Sequence, residues 1–174
     1  MGGRAASPSP GSAGPAVDVR PVTPDDWDEL LDLLEAVASE RQWIGHEAPI
    51  DREERRGRWK RFEDARNHEG FAAVAGGGIV GHLGLHDMNG LVEIGMYVAA
   101  EWRGRGVGTA LMQAGLDWAR IRHAHKMTLQ MWPHNEAGRA LYAKCGFVEE
   151  GYLKRHWKRR NGDIWDAVVM GLHL

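Results

Sequence analysis

The segment from Glu93 to Ala110, EIGMYVAAEWRGRGVGTA, is where residue types and spacing most clearly suggest chemistry. A strand-like run leads into glycines at Gly104, Gly106 and Gly108, and a stretch rich in Ala, Leu and Met opens a helix after them. Glycines in such a loop let backbone N–H groups approach a ligand closely, and the helix N-terminus adds positive potential. Arg103 and Arg105 bring further donors, so the loop suits a phosphate or pyrophosphate. Single residues exclude two common phosphate loops. A P-loop needs Lys followed by Ser or Thr after its last glycine, and here Gly108 is followed by Thr109-Ala110. The dinucleotide fingerprint Gly-x-Gly-x-x-Gly/Ala needs a small residue at Thr109 if it starts at Gly104, or at Leu111 if it starts at Gly106. Both registers fail. The pattern that fits is Arg-x-x-Gly-x-Gly, met by Arg103, Gly106 and Gly108.

A second segment, WPHNEAGRALYAKCGF from Trp132 to Phe147, follows one helix and one strand later. The Arg-x-x-Gly-x-Gly loop resembles the acyl-CoA pyrophosphate loop of the GCN5-related N-acetyltransferase (GNAT) family. The second segment resembles that family's N…A…LY…GF element. With the order of elements below, the resemblance runs over roughly residues 17–172. It departs at Ala99-Ala100, where relatives often carry proline, and at Cys145, where they often carry Leu or Met. Neither departure falls on a residue to which chemistry is assigned.

The resemblance implies acetyl-CoA as co-substrate, no metal, and transfer of the acetyl group to a primary amine by direct attack in a ternary complex. It assigns cofactor contacts to Met96, Val98, Arg103, Gly104, Arg105, Gly106, Val107, Gly108, Thr109 and Asn135, and catalytic roles to Glu93 and Tyr142. Acyl transfer to an amine needs a neutral amine, a polarised thioester carbonyl and a proton for the departing thiolate. Tyr142 occupies the family's general-acid position, although core packing beside Leu141 and Phe147 would also account for it. Asn135 opens a helix, so capping is a sufficient reason for it, beside the family's pantetheine contact. Strand alternation puts Glu93, Gly95 and Tyr97 on one face and Val92, Ile94, Met96 and Val98 on the other. A carboxylate within such a run carries a desolvation cost. The resemblance makes Glu93 the general base, directly or through water; the alternative is a solvated or paired carboxylate. By resemblance the Val98 N–H is the oxyanion donor. Cys145, beside Gly146-Phe147, reads as a buried small hydrophobe and not as a nucleophile.

The elements that must position these residues follow from pattern. Val17–Arg20 reads as a strand. Thr23-Pro24-Asp25-Asp26 reads as a helix start with Thr as cap, and Leu30, Leu31, Leu34 and Val37 extend a helix over 24–39. An Arg-rich helix runs from Asp51 to about Arg66. Strands over 71–75 and 79–88 join across Gly76-Gly77-Gly78, and Asn89-Gly90 turns the chain into a strand over 91–98. A helix over 106–120, a strand over 126–132 and a helix over 135–144 follow, the last ended by Gly146. Strands over 147–156 and 164–172, linked by Asn161-Gly162, close the chain. The expected fold is α/β, a mixed and mostly antiparallel central sheet with helices on both faces. In the family the pantetheine enters between splayed central strands, here 91–98 and 126–132.

Composition agrees with one domain. The chain has 174 residues, 43% hydrophobic and 26% charged, with a formal net charge of −2. That balance argues against a chain devoted to nucleic acid, and one cysteine rules out a disulfide framework or a multi-cysteine zinc site. No stretch approaches the ~18 apolar residues of a membrane span. Residues 1–16, almost all Gly, Ala, Ser and Pro, read as a disordered tail before a single domain over 17–174. Nine histidines invite a metal reading, but His82 and His86, four residues apart in extended chain, lie about 13 Å from each other. The basic run Lys154–Arg160 reads as a solvated hairpin arm; nucleic-acid binding through it, or a non-catalytic acyl-CoA sensor, are the rival readings. Trp43, His46, Trp59, Tyr152 and His156 are the candidates for the acceptor pocket. The expected enzyme is cytoplasmic and, since many members of the family dimerise, a homodimer, and protein N-termini, polyamines and amino acids are not separated as acceptors.

Overall fold

The computed structural model describes residues 16–63 and 66–174. The tail expected over 1–16 lies outside the described residues, apart from Ala16, as do the last positions of the Arg-rich helix. The elements are β1 (Asp18–Pro21), α1 (Trp27–Ser39), α2 (Arg52–Glu63), β2 (His68–Ala75), β3 (Gly78–Met88), β4 (Leu91–Val98), α3 (Val107–Ile121), β5 (Lys126–Met131), α4 (Glu136–Lys144), β6 (Val148–Lys158) and β7 (Ile164–His173). Each expected element is present, with β2 starting three residues before the expected Phe71.

Thr23 is the N-cap, as expected, of a single 3-10 turn over Pro24–Asp26 that leads into α1, with Pro24 at its start and Asp25 and Asp26 following. Asp26 accepts from the Thr23 N–H at 2.8 Å and from the Thr23 hydroxyl at 3.1 Å. Arg20 grips both carboxylate oxygens of Asp26 at 2.7 Å, which holds that buried carboxyl well below the usual carboxylate range. The clamp fixes β1 against the first turn of α1. From there Leu30, Leu31, Leu34 and Val37, at helical spacing, all lie buried against the sheet.

The seven strands form one sheet in the order β1-β2-β3-β4-β5-β7-β6. All neighbours are antiparallel except β4 and β5. Asn89 and Gly90, both at positive φ, close the β3–β4 hairpin, a turn that only such residues make cheaply. One core lies between the sheet and α3 with α4, around Leu83, Leu85, Leu111, Met112, Met127 and Leu129. A smaller one lies under α1, around Leu30, Val37, Ala72 and Ile79. Helices thus cover both faces, as expected. No helix among the described residues is long and apolar enough to cross a membrane.

The parallel pair is short, and this shapes the site. Only Leu91, Val92 and Glu93 of β4 face Lys126, Met127 and Thr128 of β5. Beyond Thr128, β5 stays paired with β7 while β4 stays paired with β3, as far as Val98. The sheet therefore parts in its middle from Ile94 onward.

Candidate active site

The orientation of β4 at the parting follows from one hydrogen bond. The Ala99 N–H donates to the Val80 carbonyl at 2.9 Å, while Gly81 and Val98 are register partners. That makes Gly81–Val98 a non-hydrogen-bonded pair, so alternation turns the N–H and C=O of Val98 and Met96 away from β3 and into the gap. Backbone donors and acceptors at a strand edge call for an extended partner. The gap is open on the side where the glycine loop begins.

In that loop Gly104 and Gly106 take φ of +72° and +87°, and a side chain on either would meet nothing within 4 Å. These glycines are there for backbone conformation, and the surface beside them is free. Gly106 is the N-cap of α3, which starts at the buried Val107, with Thr109 exposed on the first turn. Gly108 has another reason: a Cβ there would lie 2.7 Å from Leu141 Cδ2, so it lets α3 pack close to α4. Arg105 lies on the loop surface with its guanidinium 5.5 Å from the Trp102 ring.

Arg103 departs from the role the motif suggests. Its Nη1 and Nη2 donate to the two oxygens of Glu40, at 2.8 and 2.6 Å, and its Nε donates to the Val98 carbonyl at 3.0 Å. It therefore ties the end of α1 to the peptide at the top of β4 instead of pointing its donors at the loop. The same contact holds the Glu40 carboxyl below its ordinary range.

Glu93 is exposed, so the desolvation cost expected of it is not incurred here. It faces His86 across the β3–β4 ladder and lines a cleft of about 960 Å³. Tyr142 is 8% exposed, lines the same cleft and packs its ring 5.8 Å from Phe147. Burial pushes its phenol up, so it carries its proton at neutral pH. Asn135 also lines the cleft, with its side-chain oxygen accepting from the Gly138 N–H at 2.9 Å as the cap of α4. Burial raises the Cys145 thiol, which keeps it protonated and a poor nucleophile. Among the described residues no three His, Cys, Asp or Glu side chains gather as a metal site would need.

The floor of the cleft is a feature the sequence reading missed. Gly70, Gly84 and Gly95 are register partners across β2, β3 and β4, so a row of missing side chains crosses the sheet face below α2. Tyr97 and His82 stand on one side of this trough, with Glu93, His86 and His68 on the other. A glycine in the middle of each of three strands was the available signal, since strand glycines mark close approach of a ligand or backbone. Trp43, His46 and Trp59 line the cleft as expected. Tyr152 and His156 do not. The β6–β7 register shifts between Leu153 and Trp157, where Arg155 takes φ of +52°, and this brings Trp157 to the cleft in their place. Tyr152 instead donates its hydroxyl to Asp166 at 2.8 Å.

The basic run is not wholly a solvated arm. Arg159 is 5% exposed, with its guanidinium 5.2 Å from the Trp132 ring and 4.7 Å from the Trp165 ring. It lies 3.6 Å from Glu47 and donates to the Ile44 and Gly45 carbonyls. Arg160 adds bonds to Glu47 and Pro49. Two of the run's cations thus pin segment 44–49, one wall of the cleft. Removing a buried, paired guanidinium costs about 3 kcal/mol, so Arg159→Ala lowers Tm by roughly 10 °C and loosens that wall. Thermal denaturation with the KM for the acceptor reads both effects.

His82 links stability to pH. Burial first, and the Arg55 charge second, push its pKa down to about 4, while the unfolded chain's histidine titrates near 6.5. Between these values the unfolded chain binds a proton that the fold does not, so stability falls as pH drops from about 6.5 to 4, by up to about 3 kcal/mol. Urea unfolding across that window reads the slope, and His82→Gln removes this share of it while leaving the share of His46, whose pKa is held equally low.

Comparison with known proteins points one way. The profile described as the acetyltransferase (GNAT) family matches residues 27–147. An L-methionine sulfoximine/L-methionine sulfone acetyltransferase of Pseudomonas paraeruginosa is 29% identical over 141 residues, 75% of this chain and 79% of that protein. A ribosomal-protein-alanine N-acetyltransferase structure from Brucella melitensis superposes with a TM-score of 0.81 at 26% identity, covering 90% of this chain and 99% of that one. A phosphinothricin acetyltransferase from Sinorhizobium meliloti, solved in complex with acetyl-CoA, shares the fold at a TM-score of 0.81 and 19% identity, over 91% of this chain and 88% of that one.

Proposed function

The chain belongs to the acetyltransferase (GNAT) family, and from that premise we propose how its own residues carry acetyl transfer from acetyl-CoA to a primary amine. The observation that carries the assignment is the parted sheet, with the Met96 and Val98 backbone groups turned into the gap beside the glycine loop. The Met96 groups hold the pantetheine arm as a neighbouring strand would, while the Val98 carbonyl is taken by Arg103 and its N–H is left for the thioester oxygen. The amides of residues 104–109, with Arg105, hold the pyrophosphate at the N-terminus of α3. Arg103 moves in this reading from phosphate ligand to brace, because it fixes the Val98 peptide.

Acetyl-CoA supplies an activated thioester. In the cleft, Glu93 takes the proton of the incoming amine, directly or through a water, and the Val98 N–H donates to the oxygen on which charge develops. Tyr142, kept protonated by burial, gives its proton to the departing thiolate. Asn135 fixes the start of α4 and thereby places Tyr142 two turns on.

Residues 17–174 act as one domain in this reading, since a single sheet runs from Asp18 to His173. The enzyme is taken as cytoplasmic, in accord with a lone free thiol at Cys145. A homodimer fits the outer hairpin, where Val148, Tyr152, Trp157 and Ile164 are 42–59% exposed; sedimentation velocity tests it.

Acetyl-CoA at ~100 times its dissociation constant stabilises by about 2.7 kcal/mol, a Tm rise of several degrees. Thiol release on adding a primary amine completes the test. Neither a rise nor thiol release with any amine would overturn the reading.

A further inference from the structure

Above the glycine trough lies an arginine whose charge has no counterpart. Arg55, on α2, is half-buried in the cleft wall. On the same helix Arg52 pairs with Asp32 and Arg56 with Asp28, while Arg58, which also lines the cleft, lies over the Phe62 ring. Among the described residues no carboxylate lies within 4.0 Å of Arg55. Its Nη2 lies 2.7 Å from Nδ1 and 2.8 Å from Nε2 of His46, a ring that burial and the nearby arginines hold neutral. Its Nε is buried with no hydrogen-bond partner.

Two more polar atoms of the same cleft share that condition. The Tyr97 hydroxyl and His82 Nδ1 are buried and without partners, and their rings lie 5.0 Å apart on the trough's edge. All three residues line that cleft, and the Arg55 charge acts on both titrations. Orphaned buried polar groups are rare in a fold and costly, and an uncompensated buried guanidinium more so. With His82 in its Nδ1–H tautomer all three groups are donors. A guanidinium fork with flanking donors matches one ligand chemistry above others, a planar carboxylate.

We propose that Arg55, with Tyr97 and His82, is a carboxylate receptor in the acceptor cleft, and that the acceptor is a free amino acid. Glu93 and Tyr97 bracket Gly95 on one strand face, so an acceptor lying over Gly95 sets its amine on the Glu93 side and its carboxylate on the Arg55 side. A polyamine has no group for Arg55 and is repelled by it. A protein N-terminus bears an amide where the receptor needs a carboxylate. The inference rests on the reading of this cleft as the amine site.

The test is a set of steady-state assays at saturating acetyl-CoA, with the standard L-amino acids, their carboxamides and spermidine as acceptors. The expected result is a preferred amino acid whose kcat/KM exceeds that of its carboxamide by ~100-fold, the scale of a desolvated charge pair. In Arg55→Met that ratio collapses to within a few-fold, through KM, while Arg55→Lys, which keeps charge but loses the fork, falls between. Each variant's Tm shift with acetyl-CoA confirms that it folds. Amides used as well as acids, or spermidine preferred, would overturn the receptor and leave acetyl transfer standing. No turnover with any amine would overturn acetyl transfer itself, and the receptor with it.

Discussion

Replacing Tyr142 by phenylalanine lowers kcat by about 10²- to 10⁴-fold, the range that a positioned proton donor supplies. The substitution isolates the hydroxyl. Its ring stays against Phe147, and Tm changes little, because the side chain is buried for its bulk. If Tyr142 served only the core, kcat would stay near wild type, and that outcome would sink its catalytic role. Glu93→Gln provides the complementary experiment. It removes the proton acceptor, so turnover falls at neutral pH. The deficit narrows as the pH approaches the pKa of the amine, where free base no longer needs help. A carboxylate that merely decorated the strand would leave the two pH profiles parallel. Stopped-flow thiol release for wild type and both variants reads all of this, and acetyl-CoA affinity from thermal shifts separates chemistry from binding.

Local features made most of the fold legible. Asn89-Gly90 and Asn161-Gly162 are turn chemistry, and the spacing of Leu30, Leu31, Leu34 and Val37 is a helix face; both are written within a few residues of chain. The glycine loop was legible for the same reason, since Gly104, Gly106 and the start of α3 are contiguous. What stayed hidden depends on partners far away in sequence. Arg103 looked like a phosphate donor because its motif is local, but its carboxylate partner Glu40 is 63 positions away. Arg159 looked like part of a solvated arm because the two tryptophans it packs against come from the end of β5 and from β7. Tyr152 and His156 are expected at the cleft because the family builds its acceptor pocket partly from the late hairpin, but the register shift before Trp157 brings that residue there instead. Arg55 was one charge among many on an Arg-rich helix until the fold brought it into one cleft with Tyr97 and His82. The trough, too, exists only once three strands are in register.

That trough gives the second large effect. Gly95→Leu leaves the fold intact, because a Cβ at Gly95 meets nothing within 4 Å and its backbone needs no positive φ. Leucine is also better suited to a strand than glycine, so Tm holds or rises slightly. Its side chain projects from the Glu93 face into the space above the trough and fills what we read as the acceptor's seat. In the proposed reading acetyl-CoA meets β4 from the other direction, through the edge of the strand at Met96 and Val98, so its thermal shift is expected to survive. The acceptor's kcat/KM falls by at least about 10²-fold, because even a small displacement of an amine from its line of attack has that cost. Gly84→Ala is the milder control, since its Cβ would meet only ordinary contacts, 3.4 Å from His82. An unimpaired Gly95→Leu enzyme would mean that the amine does not cross the trough, and the seat would have to be sought elsewhere along the cleft. Gly70 and Gly84 make room for the His82 ring, whereas nothing within 4 Å stands where a side chain at Gly95 would go, and in the proposed reading an acceptor lying over it is the reason for that glycine.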